Sequence, residues 1–241
     1  MRRVEQIMGM PISIDIPQCQ NEVVFEEVFD RLKEIDRKFS PYRPDSQLNL
    51  HNKGRLKPDK ELKSIIKACK EAEELTDGFF SAWASGVFDP SGYVKGWAID
   101  QAGKLIKKAG YQTFCVAAGG DILARSQTNK DWVIGIQNPF DKSKIIGSIK
   151  GKNFAVATSG NYERGEHIIN LKTKKPALEL ASFTVTGKNI IEADVLATAG
   201  FVAGDFGINF VGNQHGYEAL AINLDGRVSA TGGMKKIFRP V

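Results

Sequence analysis

Between Phe79 and Asp100 the chain reads FFSAWASGVFDPSGYVKGWAID, and no other stretch restricts the fold as much, because it sets a turn, a lysine and a helix start side by side. Asp89-Pro90-Ser91-Gly92 is a turn signal. Proline presets φ at the second position, glycine tolerates the conformations that close a turn, and aspartate accepts hydrogen bonds from backbone N–H groups two or three residues on. From Tyr93 the apolar residues Val94, Trp97, Ala98, Ala102, Leu105, Ile106 and Ala109 recur at helical spacing, and Gly110 stands at the C-terminal cap. The spacing predicts a helix directly after the turn, with Lys95 in its first turn. A cation there opposes the positive end of the helix dipole, so it is either solvated or held by an anion. Taken alone, the segment is described as well by an ordinary loop before an ordinary helix.

The chain is long enough, at 241 residues, for one large domain or two intimately joined ones, and 42% hydrophobic with 25% charged residues reads as a soluble globular protein. A net charge of +5 favours an anionic partner, but the basic residues are spread over helices and loops, which suits phosphate better than nucleic acid. Cys19, Cys69 and Cys115 are far apart and lack CxxC spacing, so neither a disulfide framework nor a thiolate metal site is indicated and a reducing compartment fits. The first residues, MRRVEQIMGMPISIDIPQC, have no uninterrupted apolar run and no lipoprotein cleavage pattern at Cys19. The expectation is a cytoplasmic protein with no membrane span.

Val4 to Ile16 alternates as a half-buried strand interrupted at Met8-Gly9-Met10. Asn21 can cap the helix that follows, whose stripe is Phe25, Val28, Phe29, Leu32, Ile35 and Phe39. Ser40 to Ser46 is a proline-rich loop that sets Tyr42 beside Arg43. Asp59 to Thr76 repeats the helical pattern until Asp77-Gly78 stops it. Tyr111 to Ala118 reads as a strand left through Gly119-Gly120-Asp121, and Trp132 to Ile136, Ile145 to Ile149 and Phe154 to Thr158 read as a meander. Strand character returns at Glu166 to Ile169, and the Lys172 to Pro176 segment turns the chain. Ala219 to Leu224, Asp225-Gly226 and Arg227 to Ala230 make a closing hairpin.

One helix differs from the rest. Roughly Ile190 to Val202, it is rich in Ala193, Ala197, Ala199 and Gly200, so it must pack closely on its neighbours. Asp194 and Thr198 stand at i and i+4, on one face of a segment otherwise suited to burial. A hard cation such as Mg²⁺, taking a carboxylate oxygen, a hydroxyl or carbonyl and phosphate or water oxygens, would resolve the cost of that carboxylate. The alternative is an aspartate paired to a nearby lysine and a threonine bonded back to its own helix.

In order along nearly the whole chain, Met8-Gly9, Ser40 to Asn49, Asp77 to Phe80, Asp89 to Asp100, Gly119-Gly120-Asp121, Ser159 to Tyr162, His167-Ile168-Ile169 and Ala193 to Thr198 resemble the segments of the FAD:protein FMN transferases. This is the ApbE family, formerly described as thiamine biosynthesis lipoproteins. The resemblance implies an α+β architecture of the tunnelling-fold type, with antiparallel sheets, packed helices and a cofactor cleft between two lobes of one domain over 1–241. It implies FAD as substrate, Mg²⁺ at its diphosphate, and transfer of FMN to a threonine hydroxyl of an acceptor flavoprotein with AMP leaving.

Carried over residue by residue, the resemblance puts Asp194, Thr198 and the Gly92 carbonyl on the metal, and Met8, Tyr42, Phe79, Phe80, Ser81, Asp89, Lys95 and Ile168 on FAD. Phosphoryl transfer needs positioning, charge neutralisation and a group to take the acceptor's proton. His167 is the candidate base, the one of three histidines inside a family segment, and Lys95 the candidate cation for the diphosphate. The chain departs from the family at Ser81, where aspartate is common, and after His167, where Asn170-Leu171-Lys172-Thr173-Lys174 replaces a run with proline and glycine. It is also shorter than the exported members and shows no lipoprotein leader, which points to an acceptor modified in the cytoplasm. An FAD pyrophosphatase and a silent FAD-binding protein would present the same residues.

Overall fold

The N-terminal alternation doubles back on itself. In the computed structural model, which describes residues 1–160, 169–170 and 175–241, β1 (Arg2–Ile7) and β2 (Met10–Asp15) pair antiparallel. The interruption expected within one strand is therefore a hairpin turn. Met8 and Gly9 take φ of 56° and 72° there, the positive values that let a two-residue turn follow the strands' right-handed twist. The device recurs between β3 (Phe114–Ala118) and β4 (Asp121–Arg125), with Gly119 and Gly120 at φ 54° and 87°.

The meander is not what forms next. β5 (Trp132–Asn138) and β6 (Asp141–Gly151) pair with each other, while β7 (Phe154–Gly160) leaves them to lie beside β4. The reason is burial. β5 alternates between exposed and buried side chains, whereas Ala155, Val156 and Ala157 of β7 are all buried and need cover on both faces. After the short hairpin of β8 (Ile169–Asn170) and β9 (Lys175–Pro176) come β10 (Leu180–Gly187), β11 (Glu218–Asn223), β12 (Val228–Ala230) and β13 (Phe238–Pro240). The central sheet runs β1-β2-β3-β4-β7-β10-β11-β12, antiparallel throughout, and β13-β6-β5 form a second sheet.

The helices are α1 (Val23–Phe39), α2 (Gln47–Asn52), α3 (Lys60–Leu75), α4 (Ser91–Lys108), α5 (Ile190–Val202), α6 (Gly207–Gly212) and α7 (Met234–Ile237). All six stripe residues of α1 are buried, and Asn21 Oδ1 accepts the Val23 N–H at 3.0 Å. One hydrophobic cluster joins the long helices to Ala155, Ala157, Phe183, Val185, Ala219 and Ala221, and a second joins Val156, Leu220 and Ile222 to Ile134, Ile136 and Ile149 of the smaller sheet. The central sheet is thus the middle layer, helices on one face and the smaller sheet on the other. Among the described residues no helix is long and apolar enough to cross a membrane.

Two features of the helical layer matter for the site. α4 begins at Ser91, earlier than expected, because Asp89 Oδ1 accepts the Ser91 N–H at 2.9 Å. Lys95 therefore falls in the second turn, facing inward, and not at the exposed helix end. α5 packs closely, as its small residues require: a Cβ on Gly200 would lie 2.3 Å from the Phe183 ring, and one on Gly96 of α4 would lie 3.0 Å from the Ile190 carbonyl oxygen.

Candidate functional site

Close approach of α4 and α5 puts a mixed charge cluster where both meet the sheet. Lys95 Nζ lies 2.8 Å from Asp121 Oδ2 and 3.3 Å from Asp194 Oδ1. Asp194 Oδ2 accepts the Gly96 N–H at 2.9 Å, and Asp121 Oδ1 accepts the Thr158 N–H at 3.2 Å. Both carboxylates are almost completely buried, at 2% and 0% exposure. The pairing of Asp194 with a lysine is thus real, but the lysine is shared, and two carboxylates against one ammonium leave a surplus negative charge. Burial, then the neighbouring Asp121, push the Asp194 carboxyl up to about 8 against the opposing pull of Lys95. Burial pulls the Lys95 ammonium down, and Asp121 and Asp194 outweigh it, so it is held well above its ordinary value.

The cluster opens on a hollow of about 310 Å³ lined by Phe79, Phe80, Ser81, Asp89, Gly92, Lys95, Asp194 and Thr198, with Ser159 and Gly160 from the end of β7. A second, of about 370 Å³, is lined by Met8, Phe39, Tyr42 and Arg43 and shares Gly9, Met10, Ser91 and Lys95 with the first. Of the residues expected in the site, eight line the first hollow, and Met8 and Tyr42 line the adjoining one. Tyr42 is 83% exposed, so its ring is free to stack on a ligand. Phe79 is half-buried, packing on Phe206 and Phe210 with ring centroids at 6.3 and 5.6 Å. Ser81 donates to Glu73 Oε2 at 2.8 Å, so a carboxylate from α3 adjoins the position of this serine. His167 and Ile168 lie outside the described residues.

The donor chemistry suits a hard divalent cation. Thr198 Oγ1 would stand 3.9 Å from a Cβ on Gly92, so the two ligand positions face each other, and Ser159 Oγ is 3.1 Å from the same hydroxyl. The Gly96 N–H, one turn beyond Gly92, donates to Asp194 Oδ2 and ties the carboxylate to this helix. A buried carboxylate, a hydroxyl and a backbone carbonyl make an all-oxygen set, the kind that holds Mg²⁺ with further oxygens from water and phosphate. Among the described residues no three or more His, Cys, Asp or Glu converge to hold a metal without such help.

Asp121 is the residue that reading for a site left out. It stands in the Gly119-Gly120-Asp121 segment, and a carboxylate directly before the apolar Ile122, Leu123 and Ala124 was the available signal.

A model of the ApbE family matches residues 8–88 and 84–221. The FAD:protein FMN transferase of Rhodobacter capsulatus is 32% identical over 158 residues, 61% of this chain and 30% of that protein. The FAD:protein FMN transferase of Vibrio cholerae is 32% identical over 130 residues, 48% of this chain and 39% of that one. The matches thus span between 30% and 39% of those relatives' lengths. In fold, the ApbE protein of Thermotoga maritima superposes with a TM-score of 0.86 at 24% identity, over 99% of both chains. Flavin transferase ApbE from Vibrio cholerae follows at 0.82 and 21% identity, over 98% of both.

Proposed function

This chain belongs to the ApbE family, and from that premise we propose that it transfers FMN from FAD to a threonine hydroxyl of an acceptor flavoprotein, with Mg²⁺ bound and AMP released. The observation that carries the reading is the facing set of Asp194, Thr198 and Gly92 on a hollow walled by Phe79 and Phe80. The names of the similar transferases support it.

The threonine oxygen forms a bond to the FMN phosphorus, the diphosphate P–O bond to AMP breaks, and His167 takes the hydroxyl proton. Asp194, Thr198 and the Gly92 carbonyl would hold Mg²⁺, which would supply charge neutralisation at the diphosphate. Tyr42, Met8, Phe79, Phe80, Ser81, Asp89 and Ile168 bind and orient FAD, an aromatic contact contributing about 1 kcal/mol beyond burial. Lys95, already held by two carboxylates, offers less of a free cation to phosphate than the sequence suggests. Three unpaired cysteines suit a cytoplasmic setting, and the chain acts as one domain over 1–241.

The test is incubation of the purified chain with FAD, Mg²⁺ and an acceptor domain, followed by mass spectrometry of the acceptor and assay of AMP. A gain of one FMN on threonine, absent without Mg²⁺, is expected, with His167→Ala slower by roughly 10²- to 10⁴-fold at unchanged FAD affinity. Free FMN with no gain on the acceptor would make the protein a hydrolase. FAD bound but intact would make it a binding protein.

A further inference from the structure

Asp121 lines neither hollow, yet it is anchored to the site from two sides. The Thr158 N–H of β7 fixes Oδ1, and Oδ2 makes the shorter of the two ion pairs to Lys95, 2.8 Å against 3.3 Å for Asp194. A lysine ammonium sits on a flexible four-carbon stem and takes whichever anion holds it best. Here the better-placed anion is the one outside the hollow. With both carboxylates ionised, as a bound cation requires, the three groups sum to one negative charge. Without Asp121 they sum to zero, and the ammonium is left with Asp194 alone.

We propose that Asp121 is a positioning residue that keeps Lys95 from closing fully on Asp194, so that the Asp194 carboxylate stays available to a divalent cation. The inference deepens the proposed function and rests on the reading of Asp194 as a metal ligand. Asp121 would act through Lys95, touching neither the cation nor FAD. Changing such an outer partner of a metal ligand lowers affinity by roughly 10- to 100-fold.

Mn²⁺ is the probe, titrated into the full chain without FAD at one fixed pH, with free Mn²⁺ read by electron paramagnetic resonance. Asp121→Asn should weaken Mn²⁺ binding by roughly 10- to 100-fold. Lys95→Met added to that variant should restore most of the loss, because no ammonium is left to occupy Asp194, and this non-additivity separates the mechanism from general damage. Binding by Asp121→Asn equal to the parent, or a double variant as weak as the single one, overturns the proposal. If Asp121→Asn does not fold, Lys95→Met alone decides: tighter Mn²⁺ binding is expected, and weaker binding overturns it. A parallel Asp194→Asn titration isolates the underlying reading. Mn²⁺ binding unchanged there removes the metal site itself, whereas loss there with no effect at Asp121 removes only the positioning role.

Discussion

Arg31 and Lys38 on α1 face Asp59 and Glu61 at the start of α3, while Lys95 on α4 faces Asp121 on β4 and Asp194 on α5. Both clusters tie separate elements together, and they differ in burial. In the first, Lys38 reaches Asp59 at 2.6 Å and Glu61 at 2.8 Å, Arg31 pairs with Glu61 and with Glu34, and every member keeps part of its side chain in solvent. The Leu62 N–H and then Lys38 hold the Asp59 carboxyl below its usual range, the mark of a satisfied carboxylate. In the second, two buried carboxyl groups share one cation and the Asp194 carboxyl is pushed up to about 8. A charge cluster that keeps its contact with water serves the fold. One that is buried and open to a hollow suits the cation proposed for it.

Asp194→Ala strikes the buried cluster hardest. FMN transfer at limiting Mg²⁺ should drop by more than about 100-fold, beyond the usual effect of an outer partner, while circular dichroism remains that of the parent. Retained activity at limiting Mg²⁺ would erase the contrast. Gly96→Ala tests the helix contact beneath it. A Cβ there meets the Ile190 carbonyl at 3.0 Å and Asp194 Cβ at 3.1 Å, so denaturant unfolding should show a loss of about 1–3 kcal/mol from overpacking. A stabilised variant would mean that helix propensity outweighs the contact.

The pH dependence sharpens the comparison further. The folded Asp194 carboxyl titrates at about 8 against an ordinary 3.8, so between those values the folded chain keeps a proton that the unfolded chain has lost. Its contribution to stability is complete below about pH 4 and is lost as pH rises through about 8. Without metal, the parent's thermal midpoint should therefore fall more between about pH 5 and pH 8 than that of Asp194→Asn. Parallel curves would mean that Asp194 is charged throughout. The smallest effect belongs to the surface cluster: Glu61→Gln should cost about 1 kcal/mol or less, shrink further in salt, and leave FMN transfer as it was. A large, salt-insensitive loss there would make the two clusters alike.

Much of this architecture is legible in the chain. The bounds of α5 coincide with the expected Ile190 to Val202, and the stripe of α1 is buried throughout. Period, capping residues and Asp-Gly or Gly-Gly turns are local properties, and they report helices and hairpins directly. The expected three-strand meander does not form: β7 leaves β5 and β6 for β4, and whether it continues their sheet depends on which face of each strand finds cover. The part of Asp121 in the site was not legible.

Asp194 and Thr198 share a face because helix geometry puts i and i+4 together, and any reader of the residues can see it. That Asp194 is buried, that its lysine is shared with Asp121, and that it accepts the Gly96 N–H are consequences of packing among α4, α5 and the strand ends. Ionisation follows from burial and neighbouring charge, and both are supplied by segments far apart in the chain, so tertiary packing alone decides which carboxylate is satisfied and which is left wanting a cation.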